Sequence, residues 1–178
     1  MTIRETESAS GGSRAHWPSA LAGLTVGLAF FSLWAWLLSK WLDFSMDSIL
    51  SPSWRWLGVL LSVPGFAVAL RCVWDFAWTG HGTPAPVAPP KKLVVTGFYR
   101  YVRNPMYVGF VAGWVGLWIV LGHANPLAIG IAVAVVLGVH LFVIFYEEPT
   151  LRRKFGADYE NYCRHVSRWR PRVKAWRP

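Results

Sequence analysis

Acidic residues are scarce in this sequence. Nine Asp and Glu stand against 18 Lys and Arg, and charged residues together occupy 15% of 178 positions. A soluble domain of this length keeps much of its surface in water and needs more charge to cover it. Cysteine is nearly missing as well. Cys72 and Cys163 form neither a CxxC pair nor a disulfide framework, and they read as reduced packing residues. His16, His81, His123, His140 and His165 are scattered without ligand spacing, so no metal site is expected. No GxGxxG turn follows a strand pattern, which leaves a dinucleotide-type cofactor fold unsupported.

What is present is apolar. Hydrophobic residues make up 54% of the chain, including 12 Trp, and lipid is the solvent that suits such a composition. Residues 1–16 are polar and rich in Ser and Gly, as in a disordered tail. The first apolar run extends from Trp17 to Leu42, without a charge between Leu21 and Ser39. Its length, its tryptophans and the lack of a small-residue cleavage signature favour a retained helix over a signal peptide. A second run, Trp54 to Trp78, is interrupted by Arg55, Arg71 and Asp75. Arg71 and Asp75 stand one turn apart and are expected to pair, as a structural ion pair or as part of a functional site.

From Asn104 to Tyr146 no charge occurs. That stretch is too long for one span of ~20 residues, and Gly122 to Pro126 breaks it with turn chemistry. The expected architecture is an all-α polytopic transmembrane bundle, with four spans near 17–42, 54–78, 105–121 and 126–146; five is the alternative count. Glu147 to Arg164 carries a Leu151, Phe155, Tyr159, Tyr162 stripe at helical spacing, which predicts an amphipathic cytoplasmic helix over 147–166. Residues 17–178 form a single domain in this reading. Small residues at helical spacing, Gly23 and Gly27, Gly109 and Gly113, then Gly130, Ala134 and Gly138, suit close helix contact in lipid.

The basic excess sorts by side. Lys91, Lys92, Arg100 and Arg103 precede the third span, and Arg152, Arg153, Lys154 and six more cations from Arg164 to Arg177 follow the fourth. Four spans put these regions on one side with Arg4 and Arg14, and leave Lys40 and Arg55 opposite. Both termini are therefore expected in the cytoplasm. The net charge of +9 is a topology signal rather than a nucleic-acid footprint.

Three cytoplasmic features can carry chemistry. The loop 79–90 is dense in Gly and Pro, stiff enough to cover a surface and equally suited to being a plain linker. Asn104-Pro105 predicts an N-cap and first turn, and with Arg103 it offers an anion site. The alternative is a capped helix whose arginine reaches the headgroups. Glu147-Glu148 is expected to close the fourth helix, where the macrodipole disfavours carboxylates, so a protein arginine, a cationic ligand or headgroup solvent must answer them.

The segment Gly97-x-Tyr99-x-x-x-Arg103-Asn104-Pro105-x-Tyr107-x-Gly109, followed by Glu147-Glu148-x-x-Leu151-x-x-x-Phe155-Gly156-x-x-Tyr159-x-x-Tyr162, resembles the two motifs of the isoprenylcysteine carboxyl methyltransferase and phospholipid methyltransferase superfamily. The likeness covers about Gly80 to Pro171, and many members carry His where Asn104 stands. It implies an S-adenosylmethionine-dependent membrane methyltransferase of bacterial type, located in an inner membrane. Its acceptor would be lipophilic or membrane-associated and would enter from the bilayer. Isoprenylcysteine-type O-methylation is the first expectation, with phospholipid amine N-methylation and thiol S-methylation as alternatives. A catalytically silent scaffold of the same fold is the non-enzyme alternative. Carried onto this sequence, the resemblance implies that Arg103, Asn104 and the next helix start hold the methionine carboxylate. Glu147 or Glu148 would meet the cofactor's amine or ribose, and Leu93, Val94, Gly97, Tyr99 and Tyr107 would surround the adenosine. Arg103 and Glu147 are the residues expected to carry catalysis. His140 would be a base for an acceptor that must lose a proton, or more simply a helix–helix hydrogen-bond partner.

Overall fold

The structure, a computed structural model, describes Leu37, Lys40, residues 49–79 and residues 92–177. The tail 1–16, the span 17–42 with Gly23 and Gly27, and the loop 79–90 lie outside them but for Leu37, Lys40 and Thr79. All regular elements among the described residues are helical. Helix α1 spans Arg55–Thr79, α2 Pro105–Leu121, α3 Pro126–Phe142 and α4 Glu148–His165. A 3-10 turn at Gly97–Arg100 and a π turn at Val143–Glu147 complete the site's framework.

α1 runs for 25 residues, roughly 37 Å at 1.5 Å per residue, which exceeds a hydrocarbon layer of ~30 Å. Pro126–His165 forms a helical rod of 40 residues with a kink at Gly156, and this rod and α1 are both long and apolar enough to cross a bilayer. α2 is a shorter apolar helix of 17 residues. In the most apolar windows of α1 and the rod, 28% and 11% of residues are buried. A soluble core helix would be hidden, whereas here Trp56, Leu60, Val133 and Leu137 face outward. Helices occupy the stretches expected for the second, third and fourth spans, and two of them are long and apolar enough to cross a bilayer by length and composition.

α1 and α2 meet backbone to backbone. A Cβ built on Gly65 would stand 2.5 Å from the Gly113 nitrogen and 2.7 Å from the Gly109 carbonyl. One on Gly58 would stand 2.6 Å from the Gly116 carbonyl. Without side chains at these positions the two helices approach along their whole contact, as small residues allow in lipid. α2 ends at Gly122, whose left-handed φ of 81° lets its N–H reach the carbonyls of Ile119 and Trp118. Asn125 then starts α3, with Oδ1 accepting the Ala128 N–H at 2.9 Å. Near this turn α2 and α3 share the Trp118–Ala128 cluster with Trp114 and Ile131. Farther along, Val133, Val136 and Leu141 of α3 are exposed, and the hairpin opens.

The fourth span does not close at Glu147-Glu148, contrary to expectation. Pro149 has no N–H for the Phe145 carbonyl, and its ring crowds that oxygen. The chain absorbs the mismatch in the π turn, where the Glu148 N–H bonds the Val143 carbonyl, and helix continues into α4. The acidic pair therefore lies mid-rod, away from any helix C-terminus. α4 itself bends at Gly156, where φ is 51°.

Candidate functional site

The open end of the α2–α3 hairpin forms a cleft closed by the segment after residue 92 and by α4. Leu93, Val94 and Tyr99 make one wall, and Arg103, Asn104, Met106 and Tyr107 at the start of α2 make the next. Phe142, Tyr146 and Glu147 face them from the rod. Glu148, Thr150, Leu151, Phe155, Tyr159 and Tyr162 extend the lining along α4, with Phe76 of α1 beneath. Eight of the nine residues assigned to the cofactor from the sequence thus border one cleft. Gly97 does not. Its φ of 52° and its contact with the Asp75 carboxylate make it the hinge that turns Tyr99 inward.

Tyr99 is set by its neighbours. Its ring lies edge-on to Phe76 at 5.4 Å, and its carbonyl accepts the Tyr162 hydroxyl at 2.6 Å. Asp75 is buried and accepts Arg71 Nε at 3.1 Å through one oxygen, the expected pair. Its other oxygen lies under Gly97. This ion pair supports the loop and does not enter the cleft.

The two adjacent glutamates differ. Glu148 is buried and held by two arginines: Arg168 bonds it through Nε at 2.6 Å and Nη2 at 2.9 Å, and Arg103 Nη1 lies 3.1 Å away. Burial raises its carboxyl, but the Arg168 hydrogen bonds and the Arg103 charge outweigh that and hold it below the usual carboxylate range. Glu147 has a single protein partner among the described residues, the Tyr107 hydroxyl donating to Oε2 at 3.0 Å. Burial pushes its carboxyl up, against the lowering effect of the Tyr107 bond, and the charge of Glu148 pushes the same way. Of the two, Glu147 is the carboxylate with an oxygen left for a ligand.

Arg103 is only partly available. Besides Glu148, Nη1 donates to Cys163 Sγ at 2.7 Å and lies 3.5 Å from the Tyr159 hydroxyl. Its Nε is buried without a hydrogen-bond partner, an orphaned donor of the kind a ligand oxygen would satisfy. Asn104 occupies the N-cap position of α2, yet its side chain makes no cap bond, contrary to expectation. Nδ2 donates instead to the Arg168 carbonyl at 3.2 Å. The strap of residues 166–177 outcompetes the helix for this side chain, and the first turn of α2 lacks a side-chain cap. His140 lies outside the cleft lining. It accepts Trp169 Nε1 at 3.0 Å, so its nearest role is to hold the strap.

Sequence reasoning missed the aromatic lining from α4 and the rod. The Leu151, Phe155, Tyr159, Tyr162 stripe was legible as a packing face, and the cleft borders that face. It also missed the Arg168–Glu148 pair. Among the described residues no group of His, Cys, Asp and Glu could hold a metal ion.

Named proteins are similar to this chain in sequence. A probable protein-S-isoprenylcysteine O-methyltransferase of Oryza sativa subsp. indica is 41% identical over 78 residues, covering 42% of this chain and 38% of that protein. The protein-S-isoprenylcysteine O-methyltransferase of Rattus norvegicus is 28% identical over 151 residues, covering 77% of this chain and 50% of that protein. The chain therefore spans half or less of the length of these relatives. No solved structure shows a significant match. The sequence model of phospholipid methyltransferase matches residues 53–158, which takes in α1 to α3, the acidic pair and the first part of α4. On that match, the chain belongs to the phospholipid methyltransferase family.

Proposed function

We propose that this chain is an integral membrane methyltransferase that uses S-adenosylmethionine and methylates a lipophilic acceptor on the cytoplasmic side. The observation that carries the reading is Glu147: a half-buried carboxylate with one oxygen lacking a donor among the described residues, in an aromatic cleft bordered by bilayer-facing helices. Such a group suits the cofactor's ammonium or ribose hydroxyls. The orphaned Arg103 Nε suits a carboxylate oxygen, with Asn104 behind it on the strap. Tyr99, Phe155 and Tyr159 offer flat faces for an adenine ring. The donor set fits the cofactor.

Bound there, S-adenosylmethionine supplies an electrophilic methyl whose sulfonium charge vanishes on transfer. The chain's own contribution is alignment and exclusion of water. Aromatic walls keep water out, and the Tyr107 bond fixes the Glu147 rotamer. Because the α2–α3 hairpin opens beside Phe142 and Tyr146, an acceptor's lipid chain can lie against Met106 and Phe142 while its polar end meets the cofactor.

The acceptor follows from proton chemistry. A carboxylate is ionised at neutral pH and needs no base, whereas an ammonium must first lose a proton. His140 is engaged by Trp169 and lies outside the lining, which favours carboxylate O-methylation of the isoprenylcysteine type named in the relatives. In an amine N-methylating enzyme, Glu147 would have to take the proton. Calorimetric titration of the purified chain with S-adenosylmethionine tests the reading. Binding is expected, weakened at least tenfold by Glu147→Gln and by Arg103→Ala. Folded protein that does not bind the cofactor would make this a silent scaffold instead.

A further inference from the structure

Residues 166–177 leave α4 as a strap that contains no acidic side chain but carries Arg168, Arg170, Arg172, Lys174 and Arg177. The strap is pinned at two tryptophans. At the first, Trp169 Nε1 donates to His140 Nδ1 at 3.0 Å. At the second, Trp176 stacks on His165 at 5.3 Å, and its carbonyl accepts Arg100 Nε at 2.8 Å. Between the pins the chain arches, held midway by Arg172, whose N–H donates to the Tyr101 carbonyl at 3.0 Å and whose Nη1 donates to the His165 carbonyl at 2.8 Å. Arg170, Pro171 and Lys174 are exposed, and Val173 at its tip is 97% exposed.

The first pin sets the depth of this arch. His140 precedes Glu147 by two turns, roughly 10 Å along the rod, on a helix whose apolar flank faces outward. Trp169 therefore ties one end of the arch to the flank of a helix inside the expected span, while Arg100 holds the other end ahead of the third span, so the arch between them lies across the boundary region. Among the described residues Arg170, Lys174 and Arg177 have no ion-pair partner. An apolar tip flanked by unpaired cations at that depth is the composition of an interfacial anchor.

We propose that the arch 170–174 is a docking surface for anionic phospholipid headgroups, with Val173 entering the interface. Each cation near an anionic leaflet is worth roughly a factor of five in local binding. Docking would reach the cleft without touching it. The Ser167 carbonyl accepts the Arg103 N–H at 3.0 Å, the Arg168 carbonyl accepts Asn104, and the Arg168 side chain holds Glu148. A headgroup that steadies the arch steadies these three residues.

The test reads lipid contact rather than turnover, so its failure is separable from failure of the methyltransferase reading. A fluorophore on Val173→Cys is followed in nanodiscs containing phosphatidylcholine brominated near the headgroup, with and without phosphatidylglycerol. Quenching is expected to be at least twofold stronger with the anionic lipid and to fall as salt rises. The triple change Arg170→Gln, Lys174→Gln, Arg177→Gln should remove the difference, and Lys174→Gln alone should reduce it. Equal quenching in the two nanodiscs overturns the proposal. So does the same response to inorganic phosphate in zwitterionic nanodiscs at matched ionic strength, which would mark a soluble-anion site.

Discussion

The α1–α2 pair and the α3–α4 rod solve opposite problems with similar residues. In α1 and α2 the glycines lie against a neighbouring backbone, and a Cβ at Gly58, Gly65 or Gly116 would fall within 2.6 Å of another atom. In α3, Gly130 and Gly138 are helical too, yet a Cβ there would meet nothing within 4 Å. The first pair is a fixed platform. The second is a loosely flanked rod whose middle borders the cleft. The contrast indicates that this fold separates a rigid platform from the proposed site, which lies where the rod passes through the π turn and Pro149.

The largest effect that can break this comparison is a methyl group. Gly65→Ala should cost about 3 kcal/mol or prevent folding, because the obstacle is the Gly113 backbone rather than a movable side chain. Gly130→Ala should instead raise stability by about 0.5–1 kcal/mol, the helix-propensity difference with no clash to offset it. Thermal unfolding of both variants in one detergent measures the difference. Similar melting temperatures would show that the two regions are not distinct in packing.

The acidic pair sharpens the contrast at finer scale. Glu148→Gln removes the partner of Arg168 and Arg103, and should lower stability by about 2 kcal/mol, below the range for fully buried pairs because Arg168 is 30% exposed. Glu147→Gln should leave stability at or above that of the parent, because burial disfavours its charge, while cofactor affinity falls. Acid separates the two as well. Glu148 is held low, so its stabilisation is present above the unfolded value of about 4.3 and is lost only as pH falls through its lower folded value. Glu147 is raised, so it takes a proton first on acidification, and cofactor binding should weaken at a higher pH than the fold does. Calorimetry and melting followed across the same pH series would show the two windows, and coincident loss of both would contradict the division of roles.

Much of this was legible beforehand because single residues announced it. Pro105 with Gly122, and Pro126 after Asn125, mark the bounds of α2 and the start of α3 without tertiary help. The junction at Glu147 was not legible. A proline directly after an acidic pair signals a helix end, and only the π turn reconciles Pro149 with a rod that continues. The partners of Glu148, Asn104 and His140 escaped for another reason. The strap supplies a partner to each, with Arg168 20 residues from Glu148, its carbonyl 64 from Asn104, and Trp169 29 from His140, while Glu148 also meets Arg103. No local pattern encodes such pairings. The aromatics of α4 were visible as a stripe, but a stripe records which face is covered and not that a cleft borders it.

The smallest expected effect concerns the residue on which the sequence and the structure disagree most directly. At Asn104, an N-cap role predicts that Ser would substitute well and Ala poorly. The observed bond to the Arg168 carbonyl predicts something different. Ser is too short to reach the strap, so Asn104→Ser and Asn104→Ala should lose stability equally, by about 1 kcal/mol. Asn104→His, whose ring N–H can still donate across that gap, should lose less. Melting of the three variants decides the matter. A Ser variant as stable as the parent would return Asn104 to helix capping, and would leave the bond from the Arg103 N–H to the Ser167 carbonyl as the strap's direct hold on that side of the cleft.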